Sequence, residues 1–137
     1  MTTNSQDLEA LPQGHETILL VDDEASMRFV TTKALERCGF VVLTADSGPA
    51  ALELWKAAGG GIRLLLTDVK MPGMTGCELA QTLQDQYPEL KALFMSGRGP
   101  ESLPGGMQLV DGVNFIRKPF TTRKLAQMVR DLLDRDD

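Results

Sequence analysis

Five side chains that could together do phosphoryl chemistry stand directly after short apolar runs. Asp22 and Asp23 follow Ile18-Leu19-Leu20-Val21, Asp68 follows Leu64-Leu65-Leu66-Thr67, Ser96 closes Leu90 to Met95, and Lys118 closes Val113 to Arg117. Three carboxylates brought close repel one another unless a cation sits among them, and an all-oxygen set with room for water suits Mg²⁺ or Mn²⁺. An ammonium can hold a phosphoryl oxygen as a point charge, and a hydroxyl can donate to another. The five residues are therefore suited to receive a phosphoryl on Asp68, with the carboxylate attacking in line while the metal and Lys118 neutralise charge. Taken singly, each has a plainer explanation: Asp68 could simply begin a turn, and the acids and lysine could form surface ion pairs.

The chemistry requires that the apolar runs be strands with their carboxyl ends along one edge. A short continuous apolar run bounded by turn residues reads as a strand buried on both faces, the kind found in parallel sheets. Such strands are expected at Thr17 to Val21, Val41 to Ala45, Ile62 to Thr67, Leu90 to Met95 and Val113 to Arg117. Helices are expected between them. From Glu24 to Cys38 the recurrence of Met27, Val30, Ala34, Leu35 and Cys38 marks one face, and Gly39 ends the helix. Asp46 or Ser47 can cap a helix that buries Ala51, Leu54, Trp55 and Ala58, while Thr75 and Glu78 have capping-box spacing for a helix from Gly76 to Gln86. Thr121 can cap a last helix with its face at Leu125, Met128, Val129, Leu132 and Leu133. Strands alternating with helices imply right-handed crossovers and an α/β, doubly wound parallel sheet of five strands with helices on both faces. Ligand sites in such sheets lie beyond the carboxyl ends of the strands, which is where all five residues fall.

Composition narrows the remaining choices. With 137 residues, the chain suits one domain with a real core, and 14 basic against 19 acidic residues give a net charge of −5, which argues against nucleic-acid binding through the phosphate backbone. Cys38, Cys77 and the single His15 lack metal-ligand spacing. No apolar run is long enough to span a bilayer, so neither membrane insertion nor a signal peptide is expected, and a cytoplasmic location is the default. Residues 1–16 are polar and without periodicity and are expected to form a flexible tail or linker, with residues 17–134 as the folded domain and 135–137 as a short tail.

In this order and combination the motifs resemble the receiver domains of two-component response regulators. The likeness rests on Val21-Asp22-Asp23-Glu24, on Asp68 followed by Met71-Pro72-Gly73-Met74-Thr75-Gly76, on Ser96-Gly97, and on Phe115 with Lys118-Pro119-Phe120; it covers about residues 17 to 134. The resemblance implies a flavodoxin-like fold with strand order 2-1-3-4-5. It also implies that Asp68 is the phosphoacceptor and that Asp22 and Asp23 hold Mg²⁺ with Asp68 and the Lys70 carbonyl. Ser96 and Lys118 would contact the phosphoryl, Ser96 and Phe115 would act as the switch, and Lys118-Pro119 would be cis. The phosphodonor it implies is a phosphohistidine on a histidine kinase or histidine phosphotransfer domain. By the same likeness the domain is a signalling switch rather than an enzyme with turnover, catalysing only its own phosphorylation and slow dephosphorylation. A homodimer is compatible with it but not required.

Two departures from the family pattern stand out. Phe115 occupies the place of an aromatic switch that is often Tyr and has no hydroxyl, and the Pro/Gly-rich stretch from Gly99 to Gly112 replaces a regular helix often used as an output surface. Lys70 and Arg98, each two positions after a site residue, have two readings: solvated surface cations, or cations that shield the acyl phosphate and steer an anionic donor. Two rival functions fit parts of this pattern. A haloacid-dehalogenase-like phosphohydrolase needs a second Asp two residues after the nucleophile, where this chain has Lys70, and a degenerate receiver that only binds partners would not keep the full set of five. The run Leu90 to Gly97 resembles the receivers of hybrid histidine kinases, which favours that context over a stand-alone regulator.

Overall fold

Residues 11–99 and 109–135 are described in the computed structural model of the chain. They form strands β1 (Thr17–Val21), β2 (Val41–Ala45), β3 (Ile62–Asp68), β4 (Lys91–Ser96) and β5 (Phe115–Arg117). Alternating with these are helices α1 (Ala25–Arg37), α2 (Gly48–Ala58), α3 (Gly76–Gln86) and α4 (Thr122–Leu133). All pairings are parallel, in the order β2-β1-β3-β4-β5, so the doubly wound sheet expected from the sequence is present.

Alternate strand residues divide the core into two layers. Leu19, Val21, Leu65 and Phe94 pack on one face with Ala51 and Trp55 of α2 and Leu79 and Leu83 of α3. Ile18, Leu20, Leu64, Leu66, Leu93 and Met95 pack on the other with Leu35 of α1 and Leu125, Val129 and Leu132 of α4. With successive side chains pointing to opposite faces, a central strand can be apolar at every position only when both faces are covered.

The helix starts follow local rules. Ser47 accepts the Ala50 N–H at 3.2 Å and Pro49 follows it in the first turn of α2. Thr75 Oγ1 accepts the Glu78 N–H at 3.1 Å while Glu78 Oε1 accepts the Thr75 N–H at 2.9 Å, the reciprocal capping box read from the spacing. Thr121 Oγ1 accepts the Lys124 N–H at 3.0 Å.

Several expectations need correction. On α1 the core-facing residues are Thr31 and Leu35, with Cys38 just beyond its end, while Val30 is 58% exposed; the i, i+4, i+7 face carries a threonine that an apolar count overlooks. On α2, Ala58 is exposed and Leu54 only half-buried. The fifth strand begins at Phe115 rather than Val113, because the Val113 N–H returns to the Val110 carbonyl in a turn and Gly112 takes a φ of 84°. Leu133 is half-buried, and Ala126 takes part in the α4 face instead. The tail expected over 1–16 is packed against the domain from residue 11 onward. Leu11 is buried in the layer that holds Cys38 and Phe40, the Gly14 N–H donates to the Cys38 carbonyl at 3.0 Å, and Glu16 is paired with Arg130. Its first ten residues, most of the 99–112 stretch (100–108) and residues 136–137 lie outside the described residues.

Two consequences for stability follow from this packing. Arg130 donates from Nη1 and Nη2 to the two Glu16 carboxylate oxygens at 3.0 and 2.6 Å, and this holds the Glu16 carboxyl down at about 2. A carboxyl lowered on folding contributes stability that is complete above its ordinary value of 4.5 and is lost as pH falls toward 2. Chemical denaturation of wild type and Arg130→Gln should therefore show a stability gap that is steady above pH 4.5 and narrows as pH falls toward 2. Gly76 opens α3 with its Cα hydrogens against the Asp68 carbonyl, so that a Cβ there would overlap the Asp68 oxygen, whereas a Cβ on Gly61 would meet nothing within 4 Å. Gly76→Ala should lower unfolding stability by about 1–3 kcal/mol, and Gly61→Ala should change it by no more than about 0.5 kcal/mol.

Candidate functional site

Sheet register, rather than loop conformation, assembles the site. Val21 pairs with Thr67, so the next residues, Asp22 and Asp68, emerge side by side from adjacent strands. Asp68 pairs in turn with Met95, and Ser96 with Arg117, which brings Ser96 and Lys118 to the same edge. The ladder continues past the strand ends: the Asp22 N–H donates to the Ala45 carbonyl at 3.2 Å, Val69 to Met95 at 3.0 Å and Lys118 to Ser96 at 2.8 Å. The backbone under all of the site residues but Asp23 is thus tied into the sheet.

The charged groups converge there. Lys118 Nζ lies 3.3 Å from Asp22 Oδ2 and 3.2 Å from Asp68 Oδ1. Carboxylate oxygens of Asp22, Asp23 and Asp68 lie within 4.8 Å of one another. Asp22 is fully buried, Asp68 half-buried, and Asp23 exposed. Burial pushes the Asp68 carboxyl up to about 6; the Lys118 ammonium opposes the rise, and the nearby Asp22 and Asp23 carboxylates add to it. Burial acts against the Lys118 ammonium as well, but Asp68 and Asp22 outweigh it and hold the lysine above its ordinary value. Three acids face one ammonium, a formal balance of −3 + 1 = −2. An all-oxygen donor set with that deficit fits a divalent cation such as Mg²⁺, which takes carboxylates and keeps several waters.

The other residues singled out from the sequence fall as follows. Ser96 is buried at the end of β4, and its Oγ accepts the Arg98 N–H at 3.1 Å. Phe115 is wholly buried, paired with Phe94 and packed on the face covered by α2 and α3. The Lys118-Pro119 bond is cis. Lys70 and Arg98 are both exposed, and among the described residues neither side chain forms an ion pair with Asp68. Arg98 reaches the site through its backbone.

Two residues at the site were not singled out in the sequence. Arg28 Nη1 donates to the Asp22 carbonyl at 2.8 Å, and Thr67 Oγ1 donates to the Asp68 carbonyl at 3.0 Å. Arg28 did leave a signal, since a cation in the first turn of a helix opposes the helix dipole and so calls for another partner. Thr67 left none, because a threonine in a strand is ordinary.

Comparison with known proteins places this geometry. The family model described as "Response regulator receiver domain" matches residues 18–130. The chain is 34% identical over 124 residues to the sensor kinase CckA of Brucella abortus, covering 90% of this chain but 13% of that kinase. It is also 34% identical to the response regulator receiver protein CpdR of the same organism, covering 85% of this chain and 95% of that protein. The crystal structure of the receiver domain from the hybrid histidine kinase CckA superposes with a TM-score of 0.71 at 32% identity, covering 86% of this chain and 99% of that one. No helix among the described residues is long and apolar enough to cross a membrane.

The raised Asp68 carboxyl has a measurable consequence. A carboxyl raised on folding favours the folded state while protonated, so its contribution is full below the ordinary 3.8 and is lost as pH rises through about 6. Without divalent cation, Asp68→Asn should be more stable than wild type above pH 6, by roughly 1–3 kcal/mol. The gap should vanish below pH 4; thermal unfolding across that range checks both limits.

Proposed function

This chain belongs to the response regulator receiver domain family, and we propose that within that family's role as a phosphoryl-accepting switch Asp68 is the acceptor. The observation that carries this reading is the convergence of Asp68 with Asp22, Asp23 and Lys118 at the end of a register-locked sheet. Asp22, Asp23 and Asp68, with the Lys70 carbonyl, would hold Mg²⁺ or Mn²⁺, and the ion would supply charge neutralisation for the phosphoryl oxygens. The chain's own residues do the rest. Asp68, ionised above about pH 6, is the nucleophile, Lys118 holds a phosphoryl oxygen as a point charge, and the Ser96 hydroxyl donates to another.

Phosphorylation would add charge at a site where Ser96 now engages the Arg98 backbone. Drawing the hydroxyl toward the phosphoryl releases that N–H, and the buried Phe115 on the neighbouring strand is placed to respond. Phe115 would signal through packing alone, since it has no hydroxyl. The phosphodonor we infer is a phosphohistidine of a histidine kinase or histidine phosphotransfer domain, and the likeness to CckA supports a hybrid-kinase context. The likeness to CpdR, a receiver protein covered over 95% of its length, supports the stand-alone reading. The chain would turn over no substrate beyond forming and slowly hydrolysing its own acyl phosphate. A haloacid-dehalogenase-like mechanism lacks its second Asp, because Lys70 stands there.

Incubation with Mg²⁺ and a small phosphodonor such as phosphoramidate should add one phosphoryl group to wild type and none to Asp68→Asn, read by intact mass. Equal labelling of the two proteins would remove Asp68 as acceptor. Lys70 and Arg98, exposed beside the site, are proposed to set the lifetime of the acyl phosphate by shielding it. Replacing both by alanine should alter the dephosphorylation rate by a few-fold, and an unchanged rate would leave them as solvated cations.

A further inference from the structure

The turn that carries the acid pair is held from outside the acid set. Asp22 is anchored to the sheet by its N–H on the Ala45 carbonyl, and its Oδ1 accepts the Glu24 N–H at 3.0 Å. The Arg28 N–H donates to the Glu24 carbonyl at 3.0 Å, and the Arg28 guanidinium turns back to donate to the Asp22 carbonyl at 2.8 Å. One arginine therefore fastens both ends of the Asp22-Asp23-Glu24 turn, and the exposed Asp23 sits between the fastened points. With three carboxylates within its reach in sequence, Arg28 forms an ion pair with none of them among the described residues; it takes a backbone oxygen instead. Arg28 therefore occupies none of the carboxylate oxygens.

We propose that Arg28 is a positioning residue for the divalent cation, holding the turn so that Asp22 and Asp23 present their oxygens before the ion arrives. The inference rests on the receiver-site reading above. It makes a prediction opposite in sign to simple electrostatics. A cation beside an acidic site weakens divalent binding through charge, so deleting Arg28 for its charge alone would tighten binding. Deleting it for its hydrogen bond would weaken binding, because an unfastened turn must be ordered by the ion itself.

Mg²⁺ titration of the chain, followed by amide chemical shifts at fixed pH, separates the two. Arg28→Ala should raise the Mg²⁺ Kd about 10-fold, the scale of lost supporting hydrogen bonds at metal sites. Arg28→Lys should stay near wild type, and Arg28→Gln, neutral but still a donor, should fall between wild type and Arg28→Ala. Thermal unfolding without Mg²⁺ checks that each variant is folded; if the alanine variant is not, Arg28→Gln carries the comparison. A Kd equal to or below the wild-type value for Arg28→Ala, or below it for Arg28→Gln, overturns the proposal while leaving the site intact. Absence of saturable Mg²⁺ binding to wild type overturns the receiver-site reading, and the proposal with it.

Discussion

The two short contacts from Lys118 to Asp22 and Asp68 are the constraint around which the rest of the structure is arranged. Burying a carboxylate completely, as at Asp22, is tolerable only when it is paired and hydrogen-bonded. Asp22 meets that requirement with Lys118 on one oxygen and the Glu24 N–H on the other. To reach both acids Lys118 must cross the end of β4, which lies between β3 and β5. That strand ends at Ser96 and Gly97 follows it, two small residues that suit the crossing. One ammonium for three acids leaves the edge short of positive charge, and that shortage is what a divalent cation would meet.

The two-layer core makes such an edge rigid. Side chains in close-packed interiors occupy defined positions and transmit small displacements. With Leu19 and Leu65 packed on one face and Leu20 and Leu66 on the other, β1 and β3 cannot slip by one residue without exchanging the two layers. Register is thus set by the core, and it in turn places Asp22 abreast of Asp68. Phe115 shares that rigidity: wholly buried and paired with Phe94 of β4, it belongs to the layer beneath α2 and α3.

Local chemistry was legible wherever a residue's role is decided by its neighbours in the chain. The capping box of α3 appears as Thr75 and Glu78 in the sequence and as two reciprocal hydrogen bonds in the structure. β2 runs from Val41 to Ala45 as read. The errors lie where distant parts decide. Residues 11–16 look like a tail because no local pattern marks them, yet Leu11 is buried in the layer that holds Phe40, and Glu16 finds Arg130, which is 114 positions away. Val30 fits the apolar face by spacing but lies outward, because α1 turns Thr31 to the core. Val113 belongs to a turn, since no strand partner reaches it.

The sequence by itself pointed to the class of fold and to the four charged side chains that converge, Asp22, Asp23, Asp68 and Lys118, because short apolar runs that stop at charged residues read as interior strands with those residues at their ends. It also raised the expectation of a counter-ion, by counting carboxylates against one lysine. Only the tertiary structure decided which oxygens face one another, how deeply Asp22 is buried relative to Asp23, and that Arg28 fastens the acid turn through a backbone carbonyl. Which backbone carbonyl a side chain will take is not marked at the acceptor, since every residue carries a carbonyl. Distances between charges on different strands depend on register, which the packed core sets and no single segment contains.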